Sequence, residues 1–141
     1  MNYATYFAAS DGRISCCGTG FEGQYWFDDG YADYSRNYSW AMGSVPEFAP
    51  QGQNHLLRSS SVVQKVRYSK QGIEYQTFDK VGTEVLRLTS RPARVLAGES
   101  VLTQRADLKD EGYTLEAISG GDYLVRVRHM QSNTVKIEAQ Q

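Results

Sequence analysis

With 141 residues the chain has room for one folded core and an extension, but two independent cores would be cramped. Hydrophobic residues make up 40% and charged residues 22%, and the formal net charge is -1, so no global field draws the chain to nucleic acid or an anionic membrane. Apolar runs are only a few residues long, far short of the roughly 20 that span a bilayer.

Residues 1–6 have neither a basic n-region nor an apolar h-region. The chain therefore reads as cytoplasmic or as a piece of a longer protein. Twelve of the seventeen aromatic residues precede Ser61, so an aromatic, Gly-rich first half meets an aliphatic, β-branched second half.

Residues 3–8 read as a strand, Asp11-Gly12 as a hairpin turn, and residues 13–16 as its return strand. Residues 21–27 suggest another strand. Tyr31, Tyr34, Tyr38 and Met42 then recur every three to four residues. With Asp28 and Asp29 before them and Gly43 after, they predict a short amphipathic helix over 31–42. Pro46 and Pro50 mark a connector over 46–54 without regular structure.

The second half alternates apolar and polar residues with a period of two, the mark of strands that bury one face. Strands are expected at 62–68, 73–78, 83–88, 93–96, 115–118, 123–128 and 134–137. Turns at 70–72, 97–100, 110–112, 119–122 and 131–133 separate them. Short strands at this spacing predict an antiparallel β-sandwich over 61–141, preceded by an aromatic-rich strand and helix segment over 1–60, the two together forming one unit. Val85, Leu86, Leu88, Val95, Leu124, Val125, Val127, Val135 and Ile137 are the expected core. Arg87, Arg126 and Lys136 are expected to face outward. Arg91, Arg94, Arg105 and Arg128, interleaved with Glu84, Glu99, Asp107 and Glu116, complete a solvated sheet face.

Cys16 and Cys17 are vicinal, so they close no useful loop and leave the redox compartment unread. The string Cys16-Cys17-Gly18-Thr19-Gly20-Phe21-Glu22 is similar to a segment of a family of zinc-dependent arabinofuranosidases. No further cysteine precedes it to complete that metal site, and small cysteines on a strand before a Gly turn explain it as well. No metal and no other cofactor is expected. Gly18 to Gly23 matches GxGxxG in letters alone, because no βαβ unit surrounds it, and His55 and His129 belong to no paired motif.

Asp28, Asp29 and Asp33, with Glu22 and Glu47, form a carboxylate cluster. Two carboxylates about 5–9.5 Å apart would serve glycoside hydrolysis, whereas at a helix start they favour the dipole. Around them Trp26, Tyr31, Tyr34 and Trp40 supply flat rings on which sugars stack, with Asp28 and Asp29 as hydroxyl acceptors. The same stripe would serve as packing surface. The aromatics of the second half sit at alternating positions expected to face inward.

The run from Thr83 to Ile137 resembles the small C-terminal β-sandwich that follows the catalytic barrel in many glycoside hydrolases. The resemblance rests on the strand of Val85, Leu86 and Leu88, then Arg91-Pro92, Val95, Gly98 and Leu102. Gly112-Tyr113, the strand of Leu124, Val125 and Val127, and the final Val135 and Ile137 complete it. It implies a non-catalytic accessory module that packs on a catalytic domain or holds glycan weakly, in an extracellular or periplasmic protein. A hydrolase fragment contributing carboxylates, or a protein-binding domain that dimerises through an uncovered aromatic face, are the alternatives.

Overall fold

Alternation along residues 72–139 becomes two antiparallel sheets in the computed structural model, which describes residues 6–8, 14–16, 36–38 and 40–140. The chain divides into two units, Met1–Trp40 and Ala41–Gln141. In the first, β1 (Tyr6–Ala8) and β2 (Ile14–Cys16) pair antiparallel, with Tyr6 opposite Cys16. Residues 36–38 and 40 are helical, and the second unit opens with helical residues 41–44. The strand expected at 21–27 and the expected start of the helix lie outside the described residues. Gly43 falls within the helical stretch, not beyond it. A Cβ there would lie 2.9 Å from Arg58 Cβ, so glycine lets this helical turn approach the neighbouring strand.

In the second unit β3 (His55–Ser59), β6 (Gly82–Leu88), β10 (Tyr123–His129) and β9 (Gly112–Ala117) form one sheet, in the order β3-β6-β10-β9. The other runs β4-β5-β11-β7-β8, from β4 (Val63–Ser69), β5 (Gly72–Thr77), β11 (Thr134–Ala139), β7 (Pro92–Ala97) and β8 (Ser100–Val101). Ile73, Ile137 and Val95 align across three strands, as do Tyr75, Val135 and Ala97. They meet Leu86, Leu88, Val125 and Val127 of the other sheet in one buried cluster. β10 lies between β6 and β9, so Leu124 and Val125 are buried on opposite faces, as a central strand requires.

Three expectations need correction. Val85 faces away from the core and is only half-buried, because Leu86 and Leu88 take the inward positions around Arg87. Glu84 is inward and fully buried, not part of a solvated face. Arg87 does point away from the core, yet it is fully buried too, because the connector lies on that face.

The connector itself is more ordered than its prolines predict. Pro46–Phe48 is a 3-10 turn with Pro46 at its start, where a missing N–H leaves no intrahelical bond unmade. Phe48 and Ala49 donate backbone bonds to Val45 and Pro46.

Candidate functional site

β6 carries two buried charges, three residues apart and on opposite faces. On the outer face, Arg87 Nε donates to Asp122 Oδ2 at 2.7 Å. Its Nη1 donates to the carbonyls of Pro46 at 3.1 Å and Ala49 at 2.6 Å, with a longer contact to Glu47. Asp122 also accepts from Gly52 N at 3.2 Å. The planar guanidinium fork thus holds the connector at several points, and the aspartate balances its charge.

On the inner face Glu84 accepts from Ser59 Oγ at 3.0 Å and from Tyr75 Oη at 3.1 Å. His129 Nε2 lies 3.1 Å from the same carboxylate in an ion-pair contact poorly aligned for a linear hydrogen bond. Its Nδ1 is 2.8 Å from the carbonyl of Lys80. Burial disfavours charge on His129, but the contact with Glu84 and its negative charge outweigh that. With the carbonyls of Lys80 and Ser132 they hold its pKa above the usual histidine value. Burial first, and then the charge of Glu84, push the Tyr75 phenol well above its ordinary range. Since Tyr75, Glu84 and His129 are all enclosed between the sheets, no substrate reaches them. Their geometry is that of a structural network.

Accessible polar chemistry lies instead where β3 and β4, edge strands of different sheets, are linked through Tyr68. Leu56 N donates to Tyr68 Oη at 3.3 Å, which fixes the ring across this edge while 49% of the residue stays exposed. Tyr68 shares the inward face of its sheet with Ile73, its register partner, but an edge position leaves it half open. Beside it lies a groove of about 440 Å3 lined by Gly52, Gln53, Asn54, His55, Tyr68, Ser69, Lys70 and Thr89. Asn54 Oδ1 accepts from Thr89 N at 2.9 Å and from Thr89 Oγ1 at 3.2 Å, so its amide is oriented.

A wider groove of about 730 Å3 crosses the outer face of the five-stranded sheet, between Arg67, Lys70, Glu74, Lys136 and Glu138. Glu138 there meets Lys136 at 2.8 Å and Arg94 at 3.7 Å. The Lys136 bond holds the Glu138 carboxyl below its usual range. With no aromatic side chain in its lining, it behaves as a solvated sheet face.

Of the residues expected to form a ligand surface, Trp26, Asp28, Asp29, Tyr31 and Tyr34 lie outside the described residues. Trp40 is helical and 51% exposed. Tyr68 keeps the inward face expected of it but stays half-exposed, Phe78 presents a large exposed area, and Tyr75 is buried as expected. Among the described residues no three His, Cys, Asp or Glu side chains converge on a metal position, and no helix is long and apolar enough to cross a membrane. No protein-family model matches the chain, and comparison with curated proteins and with solved structures gives no match.

Proposed function

We propose that this chain is a non-catalytic accessory module of a carbohydrate-active protein and that it holds glycan weakly. The observation that carries the reading is the groove beside Tyr68. There a half-exposed ring, pinned by its own hydroxyl, stands next to a floor of amide, hydroxyl and ammonium groups. A sugar ring stacks its C–H face on such an aromatic while its hydroxyls exchange water for polar side chains. In our reading Trp26, Tyr31, Tyr34 and Trp40 of the aromatic-rich first half are further candidates for stacking on sugar, with Asp28 and Asp29 as hydroxyl acceptors. A shallow site with one or two stacked rings gives a Kd of roughly millimolar to micromolar.

Electrophoresis through gels containing soluble polysaccharides tests this. Retardation by at least one polysaccharide, lost in Tyr68→Ala with unchanged thermal melting, supports it. Mobility indifferent to every polysaccharide sinks it.

A second reading, docking on a neighbouring catalytic domain, draws on Val62, Phe78, Val81 and Met130, all exposed. Phe78 N bonds to Val62 O, and the pairing of His129 with Gly82 brings Met130 across from Val81. In that case the isolated chain self-associates with rising concentration, which sedimentation would detect.

A further inference from the structure

We infer that the groove beside Tyr68 takes an acidic saccharide, one whose anionic group lies next to the ring stacked on the tyrosine. This rests on the glycan reading above and adds the charge of the ligand. Asn54 Oδ1 is already engaged twice by Thr89, which leaves the amide NH2 as what Asn54 offers. Thr89 spends its hydroxyl proton on that bond. Ser69 Oγ donates to Gly72 O and accepts from Gln71 N, so it is occupied in both senses. Tyr68 Oη accepts from Leu56 N and keeps its own proton to give. Lys70 contributes an ammonium with no carboxylate within ion-pair distance among the described residues. No Asp or Glu lines the groove.

Internal bonding has thus engaged Asn54 Oδ1 twice, and Asn54, Tyr68 and Lys70 each keep a donor, one of them with full positive charge, beside the Gln53 amide and the unpartnered His55 Nε2. A neutral sugar finds partners here too, but it leaves the Lys70 ammonium without an anion. A carboxylate or sulfate, which only accepts, is well matched, and its bonds to charged donors are the stronger kind. The wide groove on the five-stranded sheet is the contrast: it shares Lys70, but the carboxylates of Glu74 and Glu138 stand in its lining, and Glu138 pairs with Lys136.

The test compares polygalacturonate fragments with the same fragments methyl-esterified, and dextran sulfate with dextran, against the whole chain by NMR or calorimetric titration. Binding of an acidic member at least about tenfold tighter than its neutral counterpart is expected, falling with salt. The carboxylated and sulfated pairs report separately which anion is accepted. Lys70→Met should remove most of that preference. Asn54→Asp keeps the Oδ1 acceptor for Thr89 but replaces the donating NH2 with charge, and it should abolish acidic binding with an unchanged melting temperature. Equal affinity for acidic and neutral partners, or an acidic preference untouched by both variants, overturns the inference and leaves the glycan reading standing. Failure of every saccharide, charged or neutral, overturns both.

Discussion

Glu84 and Arg87 occupy the same strand and are equally hidden from water, yet the fold treats these two buried charges in opposite ways. Arg87 faces a single aspartate and backbone carbonyls. Glu84 faces a serine, a tyrosine and a histidine, and the histidine titrates. The outer cluster is a clamp that fixes one covering segment. The inner cluster ties β3, β5, β6, β10 and the Lys80 loop to one shared proton balance. A buried charge in this protein is therefore tolerated by two routes, one a clamp on a covering segment and one a network that includes a titrating histidine.

The sharpest separation should come from the clamp. Arg87→Ala leaves Asp122 buried without its partner and strips several carbonyls of their donor, so urea denaturation should show a loss of about 3–5 kcal/mol. Asp122→Ala should cost a comparable amount, and the double variant clearly less than the sum of the two. A loss within the error of an ordinary surface substitution would show that the connector is held by other means.

On the inner side, Gly82→Ala inserts a Cβ 2.6 Å from His129 Nε2 and 2.8 Å from Glu84 Oε1. Displacing that contact should cost about 1–3 kcal/mol, read from the same denaturation curves. Gly82→Ser should be at least as costly. Wild-type stability in the alanine variant would mean the network yields easily.

A smaller effect should distinguish the clusters by pH. The folded-state pKa of His129 lies above its unfolded value near 6.5, so the folded protein holds the extra proton in the window between them. The stabilisation is complete below the unfolded pKa and disappears as pH rises through the folded one. Melting temperatures should therefore fall as pH rises from about 6.5 through that raised value, and His129→Gln should flatten this limb. Arg87→Ala should leave its slope unchanged, and His55→Asn serves as the control. A flat wild-type profile would show that His129 is not held as the imidazolium.

The smallest change belongs to Arg126, which sits on the same outer face as Arg87 but beyond the connector, 3.3 Å from Glu116 with both side chains largely in water. Arg126→Ala should alter stability by no more than about 0.5 kcal/mol.

That pair of arginines also marks where sequence reasoning stopped. Alternation correctly aimed Ile73, Tyr75, Val95, Val135 and Ile137 at the core, because a strand with one buried face must repeat every two residues. The same rule aimed Arg87 and Arg126 away from it, and both do point away. Whether such a residue meets water depends on a covering segment some forty residues earlier in the chain, which no local period encodes. Glu84 escaped notice for the complementary reason: a charged residue at an inward position reads as a flaw until its partners from three other strands are known. The groove was illegible as well. Asn54, Tyr68 and Thr89 are separated in sequence and meet only because β3 and β4 are edges of different sheets. The one available hint was the cluster of Lys65, Arg67 and Lys70, since basic residues are common on strands that must not pair further.

The position of β11 has a consequence for how the molecule is made. It lies between β5 and β7 and pairs with both, so neither can complete its hydrogen bonding until residues 134–139 are available. At about 5–20 residues per second, several seconds of synthesis separate β5 from that partner. Through this interval the β4–β5 hairpin carries an open ladder edge beside Ile73 and Tyr75, its most apolar face uncovered. The nascent chain thus passes through a stage that invites mispairing and chaperone engagement, and closure of the five-stranded sheet is a late, non-local and comparatively slow event.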